Sequence, residues 1–185
     1  MSVDVPTSRQ KILIAAAELA HEVGPANLSL EAIAARAGLS KGGLLYNFPS
    51  KSKLLEAVVQ HHVDEFETAL EAIRAKMGGE NVTAKAFLTL FFDKLEKGEP
   101  PPAGILAALA EGLNFLQPVR SHTRALLDRM IAEGLSPADT LLLYATVEGL
   151  RSMRLFETDV MTREEKKRVR DRLFALVEPG NRARA

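Results

Sequence analysis

The stretch SLEAIAARAGLSKGGLLYNFP, residues 29–49, holds two short helical segments separated by a glycine. Ser29 and Ser40 each precede one segment, and serine commonly caps a helix by accepting a backbone N–H bond. Gly38 suits the left-handed conformation that stops a helix, and Phe48 precedes a proline and so avoids the α region. The pattern predicts two helices joined by only about three residues, which is the form of a helix-turn-helix.

Gly42 and Gly43 open the second helix, although glycine costs a helix interior about 1 kcal/mol relative to alanine. In a helix-turn-helix the second helix enters the major groove, with its N-terminal residues nearest the base edges. A residue without a side chain lets the backbone approach its neighbour closely, and the N–H groups of a helix start attract phosphate oxygens. The alternative is that the glycines only loosen a short helix or let it pack. Tyr46, Asn47 and Lys51 follow at a spacing suited to backbone contacts, which favours DNA.

The longer stretch LSLEAIAARAGLSKGGLLYNFPSKSKLLEAVV, residues 28–59, resembles the DNA-binding domain of TetR-family bacterial transcriptional regulators. The preceding RQKILIAAAELAHEVG fits the family's first helix. The resemblance implies an N-terminal helix-turn-helix domain, a C-terminal ligand-binding domain and a homodimer. It also assigns base-edge positions and phosphate positions. The base-edge positions are Ser40, Lys41, Gly42 and Gly43, and the phosphate positions are Ser29, Tyr46, Asn47 and Lys51.

Two positions depart from the family's usual pattern. The family commonly has threonine where this chain has Gly43, and tyrosine where it has Leu45. Because fewer side chains remain for direct base readout, we expect specificity to rest more on Lys41, Tyr46 and DNA shape. The same departures keep an alternative open, namely a dimeric helical adaptor that has lost sequence-specific DNA binding.

The rest of the chain predicts helices throughout, because strand patterns are nearly absent and apolar residues recur at helical spacing. We expect an all-α protein of about nine helices, as the family resemblance implies. Further helices are predicted near residues 50–77, 82–97, 104–116, 118–133, 137–157 and 163–177. The expected domains are 1–53 for DNA binding, with the helix-turn-helix at about 29–48, 54–178 for ligand binding and dimerisation, and 179–185 as a disordered tail.

The composition of the 185 residues excludes several classes of protein. Without cysteine there is no disulfide framework and no thiolate zinc site. No apolar run approaches the roughly 18 residues of a membrane span, and the N-terminus lacks an apolar signal segment, so we expect a cytoplasmic protein with no membrane partner. The formal net charge is zero, with a slight basic excess over residues 1–53 that weakly supports a nucleic-acid partner.

The sequence offers no pattern for an enzyme, a cofactor or a metal. It contains neither a glycine-rich phosphate loop nor an HExxH motif, so we expect no enzymatic activity and no cofactor. His61 and Glu65 lie four residues apart on a helix, but the pair lacks a third ligand. We therefore interpret it as part of an ordinary helix face.

Candidates for the C-terminal functions come mainly from the resemblance, which pairs the last two helices with their symmetry mates. The alternative for these residues is ordinary core. The expected interface residues are Leu142, Ala145, Thr146, Gly149, Met153, Phe156, Val169, Leu173 and Leu176. Polar residues in apolar surroundings are either satisfied structure or ligand anchors. The ligand candidates, polar and apolar together, are His62, Leu106, Ala110, Glu111, Asn114, His122, Tyr144 and Glu148.

Together these patterns predict a ligand-responsive, dimeric DNA-binding regulator. Its expected partners are double-stranded DNA with a palindromic operator, a small and mainly hydrophobic effector, and a second copy of the chain. Repression, with release of the operator by the effector, is the family's usual behaviour. The residues of this sequence do not indicate whether the protein represses or activates transcription.

Overall fold

The computed structural model describes residues 6–24, 27–99, 104–105, 108 and 112–178, and all regular structure in them is helical. This confirms the all-α prediction. A 3-10 turn, Leu113–Leu116, leads directly into the sixth of eight described α-helices. The α-helices are α1 (Ser8–Val23), α2 (Leu30–Arg36), α3 (Lys41–Asn47), α4 (Lys51–Arg74), α5 (Val82–Glu96), α6 (Gln117–Ala132), α7 (Pro137–Leu155) and α8 (Arg163–Val177).

The chain forms two compact units. The first unit comprises the described residues within 1–65 and 102–122, and the second comprises those within 66–101 and 123–185. The boundary predicted at residue 53 separates DNA binding from ligand binding and dimerisation. Because it is defined by function, it stays a prediction. None of the described helices has both the length and the apolar content that a membrane crossing requires.

The first unit packs α1, α2, α3 and the start of α4 around one apolar core. Its fully buried large side chains are Ile12, Ile33, Leu44, Phe48, Leu54 and Val59. Each such side chain contributes about 1.5–3 kcal/mol by leaving water. Gly104 lies so close to α4 that a Cβ atom there would come within 2.5 Å of Val58 Cγ1. Any larger residue at this contact would force Val58 or the backbone to shift, which glycine avoids. The buried Ala108 joins the same core.

The second unit has its own core, formed by α5 and by residues of α4, α6, α7 and α8. Its fully buried large side chains are Leu70, Phe87, Leu88, Met130, Leu143 and Val147. The rings of Phe66 and Phe87 meet edge to face, with centroids 6.2 Å apart. Such a pair adds about 0.5–1.5 kcal/mol to the gain from burial alone.

A charged network lies beside this core. Arg129 donates to Glu67 at 2.7 Å and to Glu71 at 2.9 Å, and Arg74 donates to Glu71 and to Glu133. These ion pairs connect α4 to α6 and to the residue that follows α6. The pKa of Arg74 is raised above its ordinary value, chiefly by its hydrogen bond to Glu71, so its guanidinium stays charged.

Candidate DNA-binding surface

The helix-turn-helix begins with α2, which two polar contacts position. Ser29 caps it, because its hydroxyl oxygen accepts the Ala32 N–H at 3.1 Å. Arg36, the last residue of α2, donates to both carboxylate oxygens of Glu22 and also to Glu18, both on α1. The bond to Glu22 is the main reason that the pKa of Arg36 is raised. The forked geometry of guanidinium and carboxylate fixes the orientation of α2 on α1.

The turn between α2 and α3 has the geometry that the sequence predicts. Gly38 is in the left-handed region, with φ +69°. The Leu39 N–H donates to the Ala34 carbonyl at 2.9 Å, which satisfies one of the free acceptors at the end of α2. The Ser40 hydroxyl oxygen then accepts the Gly43 N–H at 3.1 Å and starts α3. The caps at both serines are confirmed.

The recognition helix α3 is anchored by one face and leaves the other open. Leu44 is fully buried in the first unit's core, and Leu45 packs partly against the same core. Lys41 and Gly42 are exposed, and Tyr46 has 90% of its surface accessible. The aromatic at residue 46 is therefore free to contact a partner, while Leu45 helps to hold the helix in place.

The space around Gly42 and Gly43 shows whether packing within the chain requires glycine at these positions. A Cβ atom at Gly42 would meet nothing nearer than the Ser40 hydroxyl at 3.8 Å, and one at Gly43 would lie 3.5 Å from the same oxygen. These are ordinary van der Waals distances, so packing within the chain does not require glycine at either position. That the bare helix start approaches a partner closely, rather than loosening the helix, stays a prediction.

Two polar candidates, Asn47 on α3 and Lys51 on α4, are half-buried. The Asn47 side-chain amide donates to the Gly43 carbonyl at 2.9 Å and is half-buried, which leaves its oxygen and second N–H available. Lys51 is half-buried at the first position of α4. The structure thus places Tyr46, Asn47 and Lys51 within one short segment around the end of α3.

Two contacts between helices of the first unit were not predicted from the sequence. Glu31 in α2 forms an ion pair with Lys41 at 2.6 Å, and that hydrogen bond is the main reason that the pKa of Glu31 is lowered. Arg9 in α1 stacks its guanidinium 4.4 Å from the ring centre of Phe48, the residue that ends α3. Neither contact has a local sequence signal, because each joins two different helices.

The ligand candidates are distributed over the two units. His62, Asn114 and His122 belong to the first unit, and the Asn114 side chain is exposed. In the second unit, Tyr144 stacks on Phe87 with centroids 6.4 Å apart, and Glu148 accepts a bond from Arg151 at 2.7 Å. The remaining candidates, Leu106, Ala110 and Glu111, lie outside the described residues.

The described residues contain no group of three or more acidic or histidine side chains placed to hold a metal ion. His61 and Glu65 do meet, with Nε2 and Oε1 3.4 Å apart. The contact has the form of an i,i+4 pair along one helix face.

The interface candidates of α7 and its C-cap include three exposed apolar residues. Leu142 has 61% of its surface accessible and Phe156 has 70%, and Ala145 between them is also exposed. Leu141 in α7 and Val160 after its end are further exposed apolar residues. The other predicted positions are less accessible. Thr146, Gly149, Met153, Val169 and Leu176 are half-buried, and Leu173 is buried in the second unit's own core.

The described residues form only helical regular structure, and the first unit presents the second helix of a helix-turn-helix at its surface, which is the fold of a helix-turn-helix regulator. Residues 12–58 match the family described as "Bacterial regulatory proteins, tetR family". Residues 81–178, more than half of the chain, match "Tetracyclin repressor-like, C-terminal domain". The chain belongs to the TetR family of bacterial regulatory proteins, which are regulators rather than enzymes.

Individual relatives agree with this assignment. The HTH-type transcriptional activator FasR of Mycolicibacterium smegmatis is 34% identical over 88 residues, which is 48% of this chain and 40% of that relative. The fatty acid degradation regulator FadR from Bacillus halodurans shares the fold with TM-score 0.72 at 17% identity, over 98% of this chain and 100% of that one. The multidrug binding protein EbrR complexed with ethidium gives TM-score 0.65 at 20% identity, over 93% and 99% of the two chains.

Proposed function

We propose that the protein is a cytoplasmic, dimeric transcriptional repressor that binds a palindromic operator and is released by a small, mainly hydrophobic effector. The observation that carries the DNA-binding part is the free face of α3. This face begins at Gly42, which has no side chain and open space around it, and it includes Tyr46, which is almost fully exposed to solvent.

The contacts expected with DNA follow from the donors on this face. Ser29 and Ser40 accept backbone N–H bonds through their oxygens, so each hydroxyl still has its own O–H to donate to a phosphate or base. Tyr46, Asn47 and Lys51 add one donor group each and would fix the register on the backbone. Lys41 is the best placed cation for a base edge, since lysine pairs with the guanine acceptors of the major groove.

Dimerisation is supported by the exposed residues Leu142, Ala145 and Phe156 of the α7 region. Together with the half-buried Thr146, Gly149 and Met153, these residues recur at helical spacing along one face. A partly exposed apolar face of this kind commonly marks an interface between chains. A two-fold dimer would present two copies of α3 to successive major grooves, roughly 34–36 Å apart. A palindromic operator follows from that symmetry.

Two proteins of the same fold support a small effector with a large apolar part. FadR is described as a fatty acid degradation regulator, and EbrR is described in complex with ethidium. An effector that binds one dimer conformation better shifts the population toward it, and coupling of this kind is typically worth about 1–3 kcal/mol. DNA is released if the dimer conformation that the effector binds better does not fit the operator.

The direction of regulation has a second candidate. FasR is described as an activator, so activation is the competing proposal for this chain. Transcription in vitro from a promoter that carries the selected operator separates the two. Lower transcription on adding the protein supports repression, and higher transcription supports activation.

The first experiment is selection of binding sites from a random duplex pool, followed by affinity measurements across a salt series. A palindrome bound at least about 1000-fold more tightly than a scrambled duplex supports the proposal. Failure of selection is followed by removal of any co-purified small molecule and repetition. Continued binding without sequence preference would contradict the proposal and favour the dimeric adaptor.

A further inference from the structure

Glu31 is a negative charge on the same surface that is proposed to meet DNA. Its carboxylate lies 2.6 Å from the Lys41 ammonium, at the first position of α3. The side chains of Lys41 and Glu31 are 55% and 62% accessible, so both groups face solvent. Glu31 lies in the first turn of α2, where the helix dipole favours an anion. An exposed carboxylate beside α3 also repels phosphates, and that cost to DNA binding is what its position on this surface has to offset.

A purely structural role for this ion pair is poorly supported. The bonds from Arg36 to Glu22 and Glu18 already hold α2 on α1, and Leu44 anchors α3 in the core. A solvent-exposed lysine–glutamate pair adds little to stability, because both charges are well hydrated without it. Its main effect is on the position of the Lys41 ammonium, and so on whether that charge can reach the phosphates of DNA.

The two modes of DNA binding use a lysine differently. Binding to any sequence depends on cations that move freely to neutralise phosphates and release counterions. Recognition of a base edge depends on a donor held at a fixed place in the groove. A carboxylate that holds Lys41 from α2 therefore opposes the first mode and favours the second.

We propose that Glu31 is a specificity-determining residue, which withholds the Lys41 charge from the phosphates of non-operator DNA and positions its ammonium for a base edge of the operator. This inference rests on the proposed DNA-binding function. Glu31 acts through Lys41 and is a positioning residue.

The test compares Glu31→Gln with the wild-type protein on the selected operator and on a scrambled duplex, each over a salt series. Glu56→Gln is the matched control, because Glu56 forms an exposed 2.6 Å pair with Lys53 in the same unit but on α4. Both substitutions remove one negative charge and free one lysine. Thermal denaturation of each variant establishes that it is folded.

Glu31→Gln is expected to raise affinity for the scrambled duplex several-fold and to steepen its log–log salt dependence by about 1. Affinity for the operator should rise less, so that the operator-to-scrambled ratio falls at least threefold. The same substitution made in a Lys41→Ala background should leave that ratio unchanged, since the held ammonium is then missing.

Two results would overturn the inference. If the ratio is unchanged in Glu31→Gln, or falls equally in Glu56→Gln, the effect is one of net charge and Glu31 has no special role. Wild-type protein that prefers no duplex would overturn the proposed function itself, and this inference with it. Operator preference in the wild type therefore distinguishes the two failures.

Discussion

Glu133 accepts two hydrogen bonds from Thr83, one from its backbone N–H and one from its hydroxyl, both at 2.6 Å. Thr83 is the second residue of α5, and Asn81 at the N-cap position is in the left-handed region and forms no side-chain cap. The free N–H groups of a helix start need acceptors. Glu133, 50 residues further along the chain, supplies the acceptor that the local sequence does not.

Glu133→Gln is therefore expected to destabilise the protein. The amide presents one oxygen in place of two, so it cannot accept from Thr83 and Arg74 as the carboxylate does. Loss of a charge-assisted hydrogen bond to the buried Thr83 costs about 1–3 kcal/mol in the free energy of unfolding, measured by urea denaturation. The control is Glu80→Gln, an exposed glutamate next to Asn81. Equal effects of the two substitutions would contradict the role of Glu133.

The contribution of Glu133 should also depend on pH. Burial acts to raise its pKa, but the hydrogen bonds from Thr83 and Arg74 outweigh burial and lower the pKa below the ordinary value of 4.5. A pKa depressed by folding gives stability that is fully present above the unfolded value and lost as the pH falls through the folded one. The difference in unfolding free energy between wild type and Glu133→Gln should thus shrink below pH 4.5. A difference constant from pH 7 to pH 3 would contradict this.

Local contacts were predictable from the sequence, and contacts between helices were not. The capping boxes of Thr7 with Gln10 and of Thr162 with Glu165 are both present, because three-residue spacing alone brings the partners together. The bond between Glu133 and Thr83 depends on how α5 and α6 pack, which spacing does not specify.

The candidate DNA surface shows the same limit. The candidate DNA-binding residues of α3 could be predicted from the cap at Ser40 and from the family resemblance. The pairing of Glu31 with Lys41 requires the angle between α2 and α3. The stacking of Arg9 on Phe48 requires the packing of α1, so no sequence pattern indicated it.

Lys51→Ala is expected to weaken binding to all duplexes about equally. A phosphate contact carries no sequence information, so the operator-to-scrambled ratio should be preserved while the log–log salt slope falls by about 1. Lys97→Ala is the control, because Lys97 is an exposed lysine of the second unit. An unchanged slope in Lys51→Ala would remove Lys51 from the phosphate contacts.

Gly42→Ala should separate stability from DNA binding. The added Cβ has room, with its nearest neighbour at 3.8 Å, and alanine favours the helix over glycine by up to about 1 kcal/mol. We expect a slightly higher melting temperature together with weaker operator binding, since the methyl group would stand between the backbone of α3 and DNA. Unchanged operator affinity in the stabilised variant would show that the glycine is not needed for close approach.

The exposed residues Leu142 and Phe156 give the test of dimerisation. Phe156→Asn and Leu142→Asn remove apolar side chains that are 70% and 61% accessible in the single chain, so neither should lower the stability of the isolated chain much. In a dimer the same side chains would be buried, and burying a large apolar side chain is worth about 1.5–3 kcal/mol. Each substitution should therefore shift the monomer–dimer equilibrium toward monomer by tenfold or more. Sedimentation across a concentration series measures the shift. Val23→Asn, at an exposed valine of the first unit, is the control, and a dimer equally unaffected by all three variants would place the interface elsewhere.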